Sequence, residues 1–327
     1  MFADHTASDL RFGFLHGREG HVVVTGGTGF IGHSLVPALA AQGWRVSVLT
    51  RRDQLPEALR HEQVRAVRSL AEIPDSEAVD AVINLAGARI LGRPWTAARR
   101  AELLRSRVDV TRALVAWMER RSSKPRCLLS ASAVGFYGVQ AQGDDTPLTE
   151  DAPPQPIFMS QLCQQWEQAA AAAVPLGVRV ACLRFGVVLG EGGALPMLLL
   201  PVRLGIGGRL GSGRQWLSWV HIDDLLQAMD HAWQTLEREP GAVLRTYNVT
   251  APEAVRQSEF SRIAAGVLGR PSFMPTPGGP ARLLLGEQAD LLLEGQRVVP
   301  ARLQREGMVF RYPQLRPALE QLVARGR

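Results

Sequence analysis

The β-branched run His21-Val22-Val23-Val24 leads directly into Thr25-Gly26-Gly27-Thr28-Gly29-Phe30-Ile31-Gly32, and a helical stretch follows over 33–42, closed by Gly43. A strand, a glycine-rich turn and a helix in immediate succession leave few folds open. Gly26, Gly29 and Gly32 form G-x-x-G-x-x-G. Without side chains, backbone there can approach a pyrophosphate, whose charge is met by the helix N-terminus. Gly26, Thr28, Gly29, Phe30, Ile31 and Gly32 are therefore the candidate phosphate-contacting residues. The other common phosphate loop needs Gly-Lys-Ser/Thr, and the sole lysine, Lys124, sits elsewhere.

The pattern continues as strands alternating with helices. A second strand is expected over 45–49, and further apolar strands over 81–85, 127–130, 178–183 and 246–249. Helical segments fall over 96–118 and 157–173, the latter stopped by Pro175. This alternation predicts an α/β fold, a Rossmann-type doubly wound parallel sheet covered on both faces. From 186 to 213 the texture changes to Gly, Leu and Pro, with turn signals rather than long periodic helices, and 271–280 reads as a loop. The expected organisation is a leader over 1–20, a dinucleotide-binding domain over 21–185 with a returning strand near 246–249, and a smaller C-terminal substrate lobe over 186–327.

Cofactor choice is read where the second strand ends. A site for NAD places Asp or Glu there, to take the ribose hydroxyls. This chain has Thr50-Arg51-Arg52 instead. Two guanidinium groups suit a 2′-phosphate, each charge-assisted contact contributing about 1.5–3 kcal/mol. NADP(H) is the expected cofactor.

The net charge of +6 does not turn this reading toward nucleic acid. The arginines are scattered, with short pairs at 51–52, 99–100 and 120–121, and no basic run is interleaved with aromatics. No stretch of about 18 uncharged apolar residues occurs. Neither nucleic acid nor membrane is an expected partner. The cysteines, Cys127, Cys163 and Cys182, are odd in number and lack CxxC spacing, so neither a disulfide framework nor a metal site is expected. Residues 1–20 carry no apolar core of a signal peptide, and a cytoplasmic location follows as the default. A small-molecule substrate is the expected partner, with a homodimer as the candidate assembly.

Longer motifs add a resemblance. TGGTGFIG at 25–32, INLAG at 83–87, SAVGFYG at 132–138 and LRFGVVLG at 183–190 resemble landmarks of the extended short-chain dehydrogenase/reductase superfamily. LCQQWE at 162–167, GSGRQWLSWVHIDDL at 211–225 and LLEGQRVVPARL at 292–303 are more selective. They resemble an atypical family within it, the NAD-dependent epimerase/dehydratase-like proteins typified by bacterial YfcH. The resemblance implies that Leu85, Ala86 and Gly87 end the fourth strand beneath the adenosine and ribose. It places Arg107 near the cofactor, where many extended members carry Asn, and Arg184 at a strand end on the nicotinamide side. The alternative for both arginines is a surface ion pair. His221-Ile222-Asp223-Asp224 resembles the family's V-H-x-x-D turn, where Asp223 or Asp224 reads as a helix N-cap.

Standard members of the superfamily carry Tyr-x-x-x-Lys, in which the tyrosine exchanges the substrate proton and the lysine lowers its pKa and holds the nicotinamide ribose. Here the tyrosines are Tyr137, Tyr247 and Tyr312, and four residues beyond them stand Ala141, Ala251 and Arg316. Aligning Glu167 with the acidic residue that often follows the lysine puts Cys163 at the lysine position and Met159 at the tyrosine position, one helical turn apart. Ser132 and Tyr137 remain as catalytic candidates. Three readings stay open: an oxidoreductase or epimerase-like enzyme with another proton donor, an NADPH-binding sensor or scaffold without turnover, and a nucleic-acid binder supported by charge alone.

Overall fold

A computed structural model describes residues 20–92, 94–275, 279, 289 and 293–325. The expected leader lies, but for Gly20, outside the described residues, as does part of the loop expected over 271–280.

The chain runs β1 (His21–Thr25), α1 (Phe30–Ala40), β2 (Arg45–Leu49), β3 (Val64–Val67), β4 (Ala81–Asn84), α2 (Ala97–Leu104), α3 (Val110–Arg120), β5 (Cys127–Ala133), α4 (Phe158–Ala171) and β6 (Arg179–Phe185). It continues through β7 (Val187–Leu189), α5 (Leu195–Arg203), β8 (Trp216–Leu217), β9 (Trp219–His221), α6 (Ile222–Arg238), β10 (Leu244–Val249), β11 (Val255–Arg256) and α7 (Gln257–Leu268). Beyond these lie α8 (Ala301–Arg305) and α9 (Leu315–Arg325).

Seven strands form one sheet in the order β10-β6-β5-β4-β1-β2-β3, every pair parallel. The expected doubly wound fold is thus the observed one. Parallel strands covered on both faces must be apolar on both, and alternate residues feed two cores. Val22 and Val24 pack with α1 and α6 residues such as Leu35, Leu39 and Trp233, whereas Val23 packs with Leu114 and Met118 of α3. A further apolar cluster gathers Leu195 and Leu199 of α5, Phe260 and Ile263 of α7, and Leu315 and Leu319 of α9.

Strand order reverses between β1 and β4, which flank each other with Thr25 opposite Asn84. Ligands of open α/β sheets bind in the crevice at such a reversal, beyond the carboxyl ends of the strands. The loops after β1, β2, β4 and β5 surround the crevice where this rule places a ligand.

Three local expectations change. The first helix begins at Phe30, inside the glycine motif, with Gly29 as its N-cap. The helix expected over 96–118 is interrupted by a π-helical turn, Arg105–Asp109. Within 186–213, where turn signals rather than long periodic helices are expected, α5 forms a short helix of nine residues, with a proline in its first turn, where the missing N–H has no intrahelical partner to lose.

Candidate functional site

The glycine loop is built by three different close approaches. Gly26 has φ +69°, and a Cβ there would lie 2.5 Å from the Leu85 carbonyl oxygen, so the loop rests directly on the end of β4. A Cβ at Gly32 would lie 2.2 Å from the Gly27 carbonyl oxygen, which fixes how tightly α1 packs on its own turn. Gly29 is exposed, and a Cβ there would meet only the Gly26 carbonyl oxygen, at 3.0 Å. Among the described residues no side chain caps α1, and no acidic residue sits in its first turn. A helix N-terminus with open N–H groups is a ready anion site. Phe30 turns away from it, its ring covered by the chain at Gly190, Gly192 and Gly193. Thr28 is half-buried, and Ile31 lines the cavity described below.

At the end of β2, Thr50 is buried and its hydroxyl accepts the Arg52 backbone N–H at 3.2 Å. Arg51 and Arg52 are exposed. Neither guanidinium makes a hydrogen bond or ion pair among the described residues, although Arg68 and Asp53 pair nearby at 2.9 Å.

A cavity of about 240 Å³ opens at the strand reversal. Leu85, Ala86, Gly87 and Arg107 line it together with Ser132, Met159, Cys163 and Trp166, and Arg107 lies over the Trp166 ring at 5.3 Å. Met159 and Cys163 thus face one space, as their spacing on α4 predicts. Burial pushes the Cys163 thiol up to about 12, with Glu167 adding to the effect, so it stays protonated at neutral pH.

Arg107 reaches this cavity from the π-helical turn. Such a turn leaves carbonyls outside the regular i−4 pattern, and it recurs at functional sites. Here side chains satisfy them. Thr111 Oγ1 donates to the Arg107 carbonyl at 2.7 Å, and Arg107 Nη1 and Ser106 Oγ donate to the Leu103 carbonyl at 3.2 and 3.0 Å. Arg107 Nη2 donates to the Ala88 carbonyl at 3.0 Å. The turn is tied to the sheet through Asn84, whose Nδ2 donates to Thr111 Oγ1 and Ser130 Oγ and whose Oδ1 accepts from Thr25 Oγ1. The buried Asn84 is the one polar residue of an otherwise apolar strand, and that polarity is the signal in the sequence for its role.

Two expected site residues, Arg184 and Tyr137, do not line this cavity. Arg184 is buried and bound to Glu167 by two 2.8 Å contacts, Nε to Oε1 and Nη2 to Oε2. Its remaining nitrogen, Nη1, donates to Tyr137 Oη at 2.9 Å and to the Glu150 carbonyl. Burial alone would lower its pKa, but Glu167 and Tyr137 outweigh this and hold it above the ordinary value. Tyr137 is 2% exposed, donates to Asn248 Oδ1 at 2.6 Å and lies outside the cavity lining. Burial raises its pKa to about 12. The strand-end position of Arg184 was legible; the carboxylate facing it was not, because Glu167 comes from another element. Ser132 does line the cavity, and its hydroxyl donates to Glu167 Oε1 at 2.7 Å.

At the second motif, the N-cap of α6 is His221 rather than either aspartate. Its Nδ1 accepts the Asp223 N–H at 3.0 Å, and burial lowers its pKa to about 4, which keeps that nitrogen free to accept. Asp224 instead holds the chain before α9, accepting the N–H groups of Arg311 and Tyr312 at 2.7 and 2.9 Å.

The sheet and glycine loop define a Rossmann-type α/β protein. Residues 22–250 match the model of the NAD dependent epimerase/dehydratase family, to which the chain belongs, and residues 276–322 match a domain of unknown function. An epimerase family protein of Staphylococcus saprophyticus is 40% identical over 93% of this chain and 99% of its own length. The epimerase family protein YfhF of Bacillus subtilis is 37% identical over 93% and 98%. The crystal structure of human epimerase family protein SDR39U1 with NADPH is 32% identical, with a TM-score of 0.79 over 93% of this chain and 99% of that one. A UDP-galactose 4-epimerase, 21% identical with a TM-score of 0.71, shares the fold. Among the described residues no helix is long and apolar enough to cross a membrane.

Proposed function

We propose that the chain is an NADP(H)-dependent oxidoreductase or epimerase-like enzyme acting on a small molecule without a Tyr-Lys dyad. The observation that carries the cofactor reading is the pairing of an α1 N-terminus at the strand reversal with the exposed guanidinium groups of Arg51 and Arg52 at the end of β2, the one uncapped and the others unpaired among the described residues. The first fits a pyrophosphate and the second a 2′-phosphate. The human relative with NADPH supports the same choice. In this reading Gly26, Thr28, Gly29, Ile31 and Gly32 form the phosphate loop. Thr50, Arg51 and Arg52 take the adenosine end, and Leu85, Ala86, Gly87 and Arg107 lie along the cofactor. Residues 21–185 with the strand near 246–249 form the cofactor domain, and 186–327 the substrate lobe.

When bound, the reduced nicotinamide supplies a hydride. The chain's own groups give that hydride an apolar setting. Methionine has no acidic proton, and a buried thiol with its pKa near 12 has little acidity to offer at neutral pH. Ser132 is the hydroxyl of the expected pair that reaches the cavity; its proton is given to Glu167, which leaves its lone pairs to accept from a substrate hydroxyl. Tyr137 serves from behind, holding Arg184, and so Glu167, in place.

Turnover is therefore expected to be slow on simple alcohols and common nucleotide sugars, since an ill-matched proton donor costs about 10²–10⁴-fold in rate. Cys163→Ala should leave NADPH affinity within about twofold and should not abolish any NADPH oxidation found with a carbonyl panel. Robust oxidation of an ordinary secondary alcohol, lost specifically in Cys163→Ala, would make the thiol catalytic and contradict this reading. The bare acid–base wall also favours a second reading, an NADPH-binding sensor or scaffold. Tight binding with no turnover across the panel would establish it.

A further inference from the structure

Arg107 is 7% exposed, and no carboxylate pairs with it among the described residues. Burial lowers its pKa to about 10, still high enough to keep it charged at neutral pH; the other charged side chain that bears on it is Arg99, also a cation. Its Nε has no acceptor among the described residues. Two carbonyls, the Ser106 hydroxyl and the Trp166 ring, 5.3 Å away, meet part of this charge. A buried guanidinium with no carboxylate beside it is still costly, and it persists where a ligand completes it. The chain holds it there deliberately: a π-helical turn, with its carbonyls met by Thr111 and Ser106, delivers it from the side of α3. Gly87 makes room for it, since a Cβ there would lie 3.1 Å from the guanidinium carbon. The charge sits close to the protonated Cys163 thiol, and both side chains line the one cavity. Cys163 is the position at which the sequence comparison expects the lysine of the dyad.

We propose that Arg107 replaces that lysine, supplying from the neighbouring helix the cation that anchors the nicotinamide-ribose half of the cofactor. The inference rests on the proposal that the site binds NADPH. It accounts for the lost lysine without a lost charge: the cation has moved from α4 to the turn before α3, and the position it left has become apolar.

Calorimetric titration with two probes tests this: NADPH, and adenosine 2′,5′-bisphosphate, which carries the 2′-phosphate and lacks the nicotinamide half. Arg107→Met should weaken NADPH about tenfold and leave adenosine 2′,5′-bisphosphate unchanged. Arg107→Lys should stay within about threefold of wild type for both. In Arg107→Met/Cys163→Lys, an ammonium restored on α4 should recover most of the lost NADPH affinity. If Arg107→Met melts well below wild type, Arg107→Gln, which keeps an amide donor for the Ala88 carbonyl, reads the same two affinities. Unchanged NADPH affinity in the Arg107 variants, or an equal loss for both probes, overturns the inference while the dinucleotide reading stands. A wild-type protein that binds neither probe overturns both.

Discussion

Glu167→Ala should lower the stability of the folded chain by about 3–5 kcal/mol, the cost of breaking a buried ion pair from one side. Arg184 would be left buried with its charge uncompensated, since Glu167 takes both its Nε and Nη2, and the Ser132 hydroxyl would lose its acceptor. The damage should spread along one chain of contacts. Arg184 Nη1 holds Tyr137, Tyr137 holds Asn248, and the Asn248 N–H and the Arg302 N–H share the Glu150 carboxylate. That chain links β6 to β10 and to α8, so its loss loosens the sheet edge against the C-terminal segment. Urea unfolding measures it: the midpoint should fall while the slope holds, and Glu167→Gln, which keeps an acceptor for Ser132, should lose less. A loss below about 1 kcal/mol in Glu167→Ala, the range of exposed pairs, would show that this pair carries no such weight.

Gly29→Val should weaken NADPH binding by at least a hundredfold, roughly 2.8 kcal/mol, while the protein stays folded. The separation of binding from folding is specific to this glycine. Its φ of −88° and ψ of 179° suit any residue, and a Cβ would meet only the Gly26 carbonyl oxygen. A side chain there fills the space over the α1 N-terminus that a pyrophosphate needs. At Gly26 the backbone is left-handed, and at Gly32 a Cβ collides with the turn, so variants there would injure the fold as well. Unchanged affinity in folded Gly29→Val would mean that the loop does not carry the phosphates.

The parts of the fold written in local pattern were legible. His21-Val22-Val23-Val24, the glycines and the Arg45–Leu49 strand specify β1-α1-β2 by periodicity and turn chemistry alone, and the alternation that follows specifies a parallel sheet. β3 was missed because it is a short edge strand, Val-Arg-Ala-Val, with Arg65 exposed in the middle. The π-helical turn has no residue signature; the side chains that meet its carbonyls, Thr111 and Ser106, and the Asn84 that ties it to the sheet come together only in space. The site residues divide the same way. Gly26, Gly29 and Gly32 act through their own backbone and could be read in place. Arg107, Arg184 and Tyr137 depend on their partners. Nothing near Arg184 in the chain announces that Glu167 will pair with it, or that no carboxylate among the described residues will reach Arg107.

Parallel titration of the wild-type protein with NADPH and NADH tests most directly the proposal that Arg51 and Arg52, unpaired among the described residues, select a 2′-phosphate. NADPH should bind at least about tenfold more tightly, a gap of about 1.4 kcal/mol, and Arg51→Ala or Arg52→Ala should narrow that gap by weakening NADPH alone. Equal affinity for the two cofactors, or a preference that survives loss of both arginines, would contradict the account.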